Sequence, residues 1–165
     1  MTYSVAEFIS TTTKALSPQD ALQAQRIPSV FLESAGEDSR LASSSSDRAQ
    51  LARESFMDRR ARDGLFAPKL FADPAWDMLL ILYCASHSRQ RLSITSVCVS
   101  AAVPGTTALR WIDQLLRLGM LCKMRNPMDA RVTWLDLSDK ARLPLDRYFD
   151  GILANRASSR LARAA

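Results

Sequence analysis

Histidine is almost absent from this 165-residue chain. Its single copy, His87, lies between Ser86 and Ser88 with no paired acid in a recognisable motif. There is no glycine-rich phosphate loop among five glycines, and no constellation of metal ligands. Those absences argue against an enzyme and imply no cofactor. Three cysteines, Cys84, Cys98 and Cys122, stand in apolar settings at spacings that fit no zinc motif. An odd count without an export signal predicts reduced thiols in a cytoplasm. Long apolar runs are missing too: nothing approaches about 18 residues, so no membrane-spanning segment or membrane partner is expected. The N-terminus lacks the basic start, apolar core and cleavage site of a secretory leader. No internal repeat is apparent.

The 47% hydrophobic and 24% charged fractions are ordinary for a globular protein, and the length predicts one domain with a real core. The net charge of +5 is unevenly spread. Between Arg89 and Leu137, Arg89, Arg91, Arg110, Arg117, Lys123, Arg125 and Arg131 face only Asp113, Asp129 and Asp136. That stretch carries +4, leaving +1 for the rest of the chain. Concentrated basic charge suits a polyanion, and the bland alternative is a solvated face of mixed charge.

Residues 1–46 read as an irregular, mobile arm. They contain Thr11–Thr13, Pro18, Pro28, Gly36 and the Ser43–Ser46 run, with little sustained periodicity. Residues 47–155 read as the folded domain with flanking helices, and 156–165, with Arg156, Arg160 and Arg163, as a basic tail. A charge-laced helix is expected from Asp47 to about Asp63, with Gly64 as its stop and a solvated outer face. Asp73-Pro74 predicts a second helix start, an N-cap followed by proline at the first helical position. Trp76, Leu79, Leu80 and Tyr83 repeat at helical spacing. With Met78, Ile81, Leu82 and Cys84 they make that helix apolar nearly all round, so it belongs at the centre.

The next stretch orders as helix, turn, helix and β-hairpin: mainly α with a small wing, the order of a winged helix-turn-helix. Thr95 reads as an N-cap, with Val97, Cys98 and Ala101 inward and Val103 closing the turn. The second helix starts around Pro104-Gly105, and Ala108, Trp111, Ile112 and Leu115 should face the core. Thr106, Arg110, Asp113 and Arg117 then share another side. Small hydroxyls at Thr106 and Thr107, beside Gly105, would let the backbone approach a major groove, with Arg110 reaching a guanine edge or phosphate. Asp113 is a misfit there, expected to pair with Arg117 or orient Arg110. Gly119 should end the helix. Leu121 to Arg125 and Arg131 to Leu137 read as strands around a turn at Asn126–Ala130, with Val132 and Trp134 on one face and Leu135 and Leu137 on the other. Asp129 would hold the Arg131 guanidinium extended toward a narrow minor groove. Arg117, Lys123 and Arg125 would meet phosphates.

From Leu92 to Arg142 the chain resembles the MarR family of bacterial winged-helix transcription regulators. The likeness is carried by Val103-Pro104-Gly105-Thr106-Thr107-Ala108-Leu109-Arg110, by Leu115–Leu121, and by Asn126–Arg131 with its Asp129-x-Arg131 signature. Leu137-Ser138-Asp139-Lys140-Ala141 is similar to the family's entry to its last helix. The wider match covers about residues 49–148. The resemblance implies a recognition helix in the major groove of double-stranded DNA, a wing arginine in the minor groove, and a homodimer formed by terminal helices. A small-molecule effector is compatible with such a regulator, and the sequence identifies none. Pro144 predicts a break in the last helix, which would restart there and run to about Asn155.

Two rival readings stand beside this one. A winged helix can serve as a protein-interaction module, with the arginine-bearing helix 47–63 as its docking surface. A thiol sensor would need a reactive cysteine, for which only Cys122, beside Lys123, qualifies; the inert reading is preferred.

Overall fold

The computed structural model describes residues 39–66, 70–129 and 131–164, and residues 1–38 of the expected arm lie outside them. Among the described residues, five helices and three strands follow in order: α1 Ser39–Asp63, α2 Pro74–His87, β1 Leu92–Ser93, α3 Ile94–Ser100, α4 Gly105–Arg117, β2 Leu121–Arg125, β3 Thr133–Leu137 and α5 Asp139–Ala164. The sheet is antiparallel in the order β1-β3-β2. Helix α2, a short strand, two helices across a turn and a hairpin returning to that strand make a winged helix-turn-helix, flanked by α1 and α5.

Helix α2 occupies the centre, as its all-round apolarity predicts. Met78, Leu80, Ile81, Leu82, Tyr83, Cys84 and Ala85 are all buried. The Asp73 side chain accepts a hydrogen bond from the Trp76 N–H at 3.2 Å, and Pro74 fills the first position, so the expected cap is in place.

Helix α1 begins at Ser39, eight residues before Asp47, so the Ser43–Ser46 run belongs to the helix and not to the arm. Burial of Ala49, Leu51, Ala52 and Phe56 anchors the helix. Once nucleated, each added turn costs little, and serine is no barrier to it. The helix ends at Asp63, where the Gly64 N–H bonds back to the Arg60 carbonyl at 3.2 Å.

The outer face of α1 is less solvated than its charge pattern predicts. Asp77, on α2, is fully buried, and its two carboxylate oxygens take guanidinium groups from α1. Arg59 Nε donates to Oδ1 at 2.6 Å, and Arg60 Nη2 donates to Oδ2. Arg59 reaches further, to the Asp73 carbonyl at 3.4 Å, and Arg60 also meets Asp63 at 3.3 Å. Asp77 stands in the first turn of α2, where the helix dipole adds to its stabilisation.

Helix α5 is continuous through Pro144, so the expected interruption does not occur, and neither does an end at Asn155. The proline removes only the hydrogen bond that would end on the carbonyl of Lys140, an exposed residue where water can substitute. Ala141, Leu145 and Phe149 are buried on both sides of it and hold the helix in register. The basic tail is therefore the last part of α5, exposed from Ala154 to Arg163.

Ion pairs knit α5 to α1. Arg48 clamps Asp150 at 2.6 and 2.9 Å, and Arg156 meets Glu54 at 3.1 Å. Asp146 accepts from the Tyr83 hydroxyl of α2 at 2.5 Å, and burial first, then that bond, pushes the Tyr83 phenol up.

Removing the buried carboxylate takes from Arg59 and Arg60 their shared buried counter-charge and leaves the more exposed Asp73, at 4.0 Å, and Asp63, at 3.3 Å, beside them. Asp77→Ala is expected to lose about 3–5 kcal/mol of stability, measured as a lower urea midpoint at unchanged slope. A loss near that of an exposed pair would show that α1 does not depend on the clamp.

Candidate nucleic-acid interface

The turn between α3 and α4 sets the start of α4. Ser93, not Thr95, caps α3: its hydroxyl accepts from the Ser96 N–H at 3.1 Å, and Thr95 is exposed. Ser93 wins because Leu92 and Ser93 form the short strand β1, which pairs with Leu135 and Trp134 and places the helix start two residues early. Two residues are too few to leave a periodic signal, so this third strand was not anticipated. Ala102 turns the chain with φ +51°, a left-handed conformation that L-residues seldom adopt.

Helix α4 then opens at Gly105 with Pro104 before it and no capping side chain. Its inward residues are those expected: Ala108, Ile112 and Leu115 are buried, and Trp111 packs partly buried against the core. Thr106, Arg110, Asp113 and Arg117 are exposed along the outer side, while Thr107 is half-buried. A Cβ at Gly105 would meet nothing within 4 Å, so the helix start faces open space.

The end of α4 is fixed tightly. Gly119, at φ +70°, lets the Met120 N–H reach the Leu115 carbonyl at 2.9 Å and its own N–H reach Leu116 at 3.0 Å. Two α5-entry residues, to which sequence reasoning gave no role, pin the same corner. Ser138 Oγ donates to the Gly119 carbonyl at 2.6 Å, and Lys140 Nζ donates to the Leu118 carbonyl at 2.8 Å. Lysine on the last carbonyls of a helix complements its dipole, and the Ser-Asp-Lys run was the available signal.

The hairpin pairs Leu121 with Leu137 through to Arg125 with Thr133. Leu135 and Leu137 are buried, with Val132 and Trp134 half-buried on the other face. Arg91 stacks over Trp134, its guanidinium 4.6 Å from the ring centre. β3 starts at Thr133 and not at Arg131, because Arg131 and Val132 close the turn. The Asn126 N–H donates to the Val132 carbonyl at 3.1 Å, and the Val132 N–H to the Asp129 carbonyl at 3.0 Å.

Two side-chain expectations are corrected. Asp129 does not hold the Arg131 guanidinium: its Oδ1 accepts from the Arg131 backbone N–H at 2.9 Å. The short carboxylate reaches the amide two residues on more readily than the end of a long side chain. Asp113 makes no ion pair with Arg117 or Arg110. Among the described residues, Arg110, Arg117, Lys123, Arg125 and Arg131 are exposed and form no salt bridge. The chain thus carries five uncommitted cations on α4 and the wing, while Arg48, Arg59, Arg60 and Arg156 of the flanking helices are paired.

No group of three or more metal-ligating side chains occurs among the described residues, and no described helix is long and apolar enough to cross a membrane. His87 Nδ1 lies 2.9 Å from the Tyr83 carbonyl, and its ring packs on Tyr83. Burial pushes the Cys84 thiol up to about 12, and burial also raises Cys98. Cys122 is exposed yet raised as well, by partial burial and then by the negative charge of Asp136. All three thiols are less ionised at neutral pH than a free cysteine. Alkylation by iodoacetamide should therefore reach Cys122 first, slowly near neutral pH, with a rate that climbs as pH rises past 9. Rapid modification at neutral pH would restore the sensor reading.

A scan against protein-family models finds no match, and a search of curated proteins finds none. Among solved structures the chain is similar to the adhesin competence repressor AdcR from Streptococcus pyogenes, at 20% identity, covering 69% of this chain and 80% of that one with a TM-score of 0.40. It is also similar to the heme sensor protein PefR from Streptococcus agalactiae, solved with heme, at 16% identity over 70% and 77% of the two chains, TM-score 0.41. A third likeness is to the transcriptional regulator BldR from Sulfolobus solfataricus, at 19% identity over 69% and 76%, TM-score 0.38. The winged helix-turn-helix assignment rests on this chain's own element order, strand register and buried residues.

Proposed function

We propose that this chain is a sequence-specific transcriptional regulator of MarR type that binds double-stranded DNA as a cytoplasmic homodimer. One observation carries the reading: Arg110, Arg117, Lys123, Arg125 and Arg131 of α4 and the wing are exposed and form no salt bridge among the described residues, whereas on the flanking helices Arg48, Arg59, Arg60 and Arg156 are paired and Arg147, Arg160 and Arg163, all on α5, are exposed without an ion pair. An unpaired cation keeps its full capacity to displace counterions from phosphate.

The roles follow from position. Gly105 and Thr106, at the open start of α4, allow close backbone approach to the major groove. Thr107, half-buried, contributes its upper edge, and Arg110 one turn on reads a base edge. Arg117, Lys123 and Arg125 meet phosphates. Arg131 enters the minor groove, its backbone set by Asp129 and its guanidinium left free. Dimerisation is supported by the family resemblance and by apolar side chains that α5 leaves uncovered, Leu143 and Leu161 among them. A two-fold dimer would read two half-sites about one helical turn apart or a multiple of that. The cytoplasmic location follows from the ligand, since a bacterial regulator works where the duplex is.

The interaction-module reading has less to support it. Two of the arginines on the face it would use, Arg59 and Arg60, close on Asp77.

The test is titration of full-length protein against duplex selected from a randomised pool, over a range of salt. Log affinity should fall steeply with log salt, by about 0.9 for each phosphate neutralised. Arg110→Ala should lower affinity for the selected duplex by about 1–3 kcal/mol and relax base preference at one position. Unchanged selectivity would remove Arg110 from the site. Arg131→Ala should weaken binding with its thermal midpoint unchanged, because the guanidinium forms no ion pair among the described residues; a lowered midpoint would mark it as structural.

A further inference from the structure

The wing tip carries a feature that electrostatics does not explain. Met128 is 92% exposed, more than any other large apolar side chain among the described residues. It follows Pro127 at the centre of the turn between β2 and β3, and hydrogen bonds tie the backbone on both sides of it. The Met128 N–H donates to Asn126 Oδ1 at 2.9 Å, and the Arg131 N–H to Asp129 Oδ1 at 2.9 Å. The Asn126 N–H and the Val132 carbonyl close it at 3.1 Å, and the Val132 N–H meets the Asp129 carbonyl at 3.0 Å. Side chains at both ends of the turn thus fix the backbone around Met128. An apolar group held in water on a rigid support gains when another surface removes it from water.

The charge of the tip narrows what that surface is. Asn126 to Arg131 contains one acid and one base, so the tip is neutral overall. Attraction to phosphate accounts for Arg131 but not for presenting methionine ahead of it. On a duplex, the apolar surfaces within reach of a wing are sugar faces and the stacked bases in the minor groove. Methionine and proline are both among the side chains suited to wedge between base steps there.

We propose that Met128, backed by Pro127, is an apolar wedge that presses into a base step of the minor groove and partly unstacks it. The wing thereby selects flexible pyrimidine–purine steps by their deformability, at a position where it makes no base hydrogen bond. Arg131 holds the groove electrostatically and Met128 reads how easily it opens. This rests on the DNA-binding function proposed above.

The experiment uses the full chain and duplex selected by it from a randomised pool, with 2-aminopurine placed at pyrimidine–purine steps across the bound region to report unstacking. Wild-type protein should raise the fluorescence at one step per wing. Met128→Gln, of equal length but polar, should abolish that rise and weaken binding by about tenfold, the scale of losing a small buried apolar area. Its salt dependence should stay unchanged, since no charge is altered. Met128→Leu should keep both signals. Wild-type affinity and fluorescence in Met128→Gln overturn the wedge and leave DNA reading intact. Equal losses in Met128→Leu and Met128→Gln also overturn it, as they mark a turn that tolerates no change. A wild-type chain that binds no duplex at low salt overturns the wedge together with the function it rests on.

Discussion

A carboxylate without water has to find positive charge, and that requirement organises this fold. Asp77 sits in the first turn of the central helix with no solvent contact, and its oxygens are met by consecutive arginines of α1. Consecutive residues on a helix point about 100° apart, so both reach one carboxylate only if α1 lies across the start of α2. The same contact gathers Asp73, whose side chain caps α2 and whose carbonyl accepts from Arg59. The clamp therefore sets where α2 begins. Since α2 forms the floor on which α3, α4 and the sheet pack, the position of α4 is tied through α2 to the charge pair between α1 and α2. A pair of this kind adds little net stability against an apolar substitute of the same shape. What it fixes is register, because a greasy contact can slide by a turn and a bidentate ionic one cannot.

The division of labour among the arginines follows from this. Two groups of cations have different surroundings. On α1 and α5, Arg48, Arg59, Arg60 and Arg156 meet Asp77, Asp146, Asp150 and Glu54 and hold helices together, while Arg147, Arg160 and Arg163 of α5 stay exposed without an ion pair. On α4 and the wing, Arg110, Arg117, Lys123, Arg125 and Arg131 meet no acid among the described residues. Composition alone does not separate the two groups, since both look like mixed charge on solvated surfaces. The structure separates them by which acids lie within reach.

That difference marks where sequence reading succeeded and where it stopped. Elements defined by repetition were legible: the all-round apolar α2 with its Asp-Pro start, the inward face of α4, the strand Leu121–Arg125, and the glycine that ends α4. So was the outward set Thr106, Arg110, Asp113 and Arg117, which is the inward periodicity turned over. What was not legible depends on single long-range contacts. The strand β1 is two residues long and exists because β3 lies beside it. Continuity of α5 through Pro144 comes from Ala141, Leu145 and Phe149 packing on either side. Asp77 itself was a readable signal, an acid within an otherwise apolar helix, with arginines seventeen and eighteen residues upstream. Its partners were taken for solvated residues because a helical charge pattern does not say which charges turn inward.

The wing shows the same limit at the scale of one turn. The Asp129-x-Arg131 spacing suggests a carboxylate gripping a guanidinium, but a two-residue separation favours the nearer donor, the backbone amide. The consequence is functional as well as geometric. A gripped guanidinium would have its charge partly cancelled before any ligand arrived, and would have to trade one partner for another on binding. An amide-capped turn leaves that charge whole while fixing the chain on both sides of it. Asn126 does the same for the other end of the turn through the Met128 N–H. The tip is thus ordered by its own short polar side chains, and what it offers outward is what those side chains do not consume: one free cation and one apolar residue. A tip ordered in advance loses little conformational freedom on docking, so more of the energy of each contact remains available for discrimination.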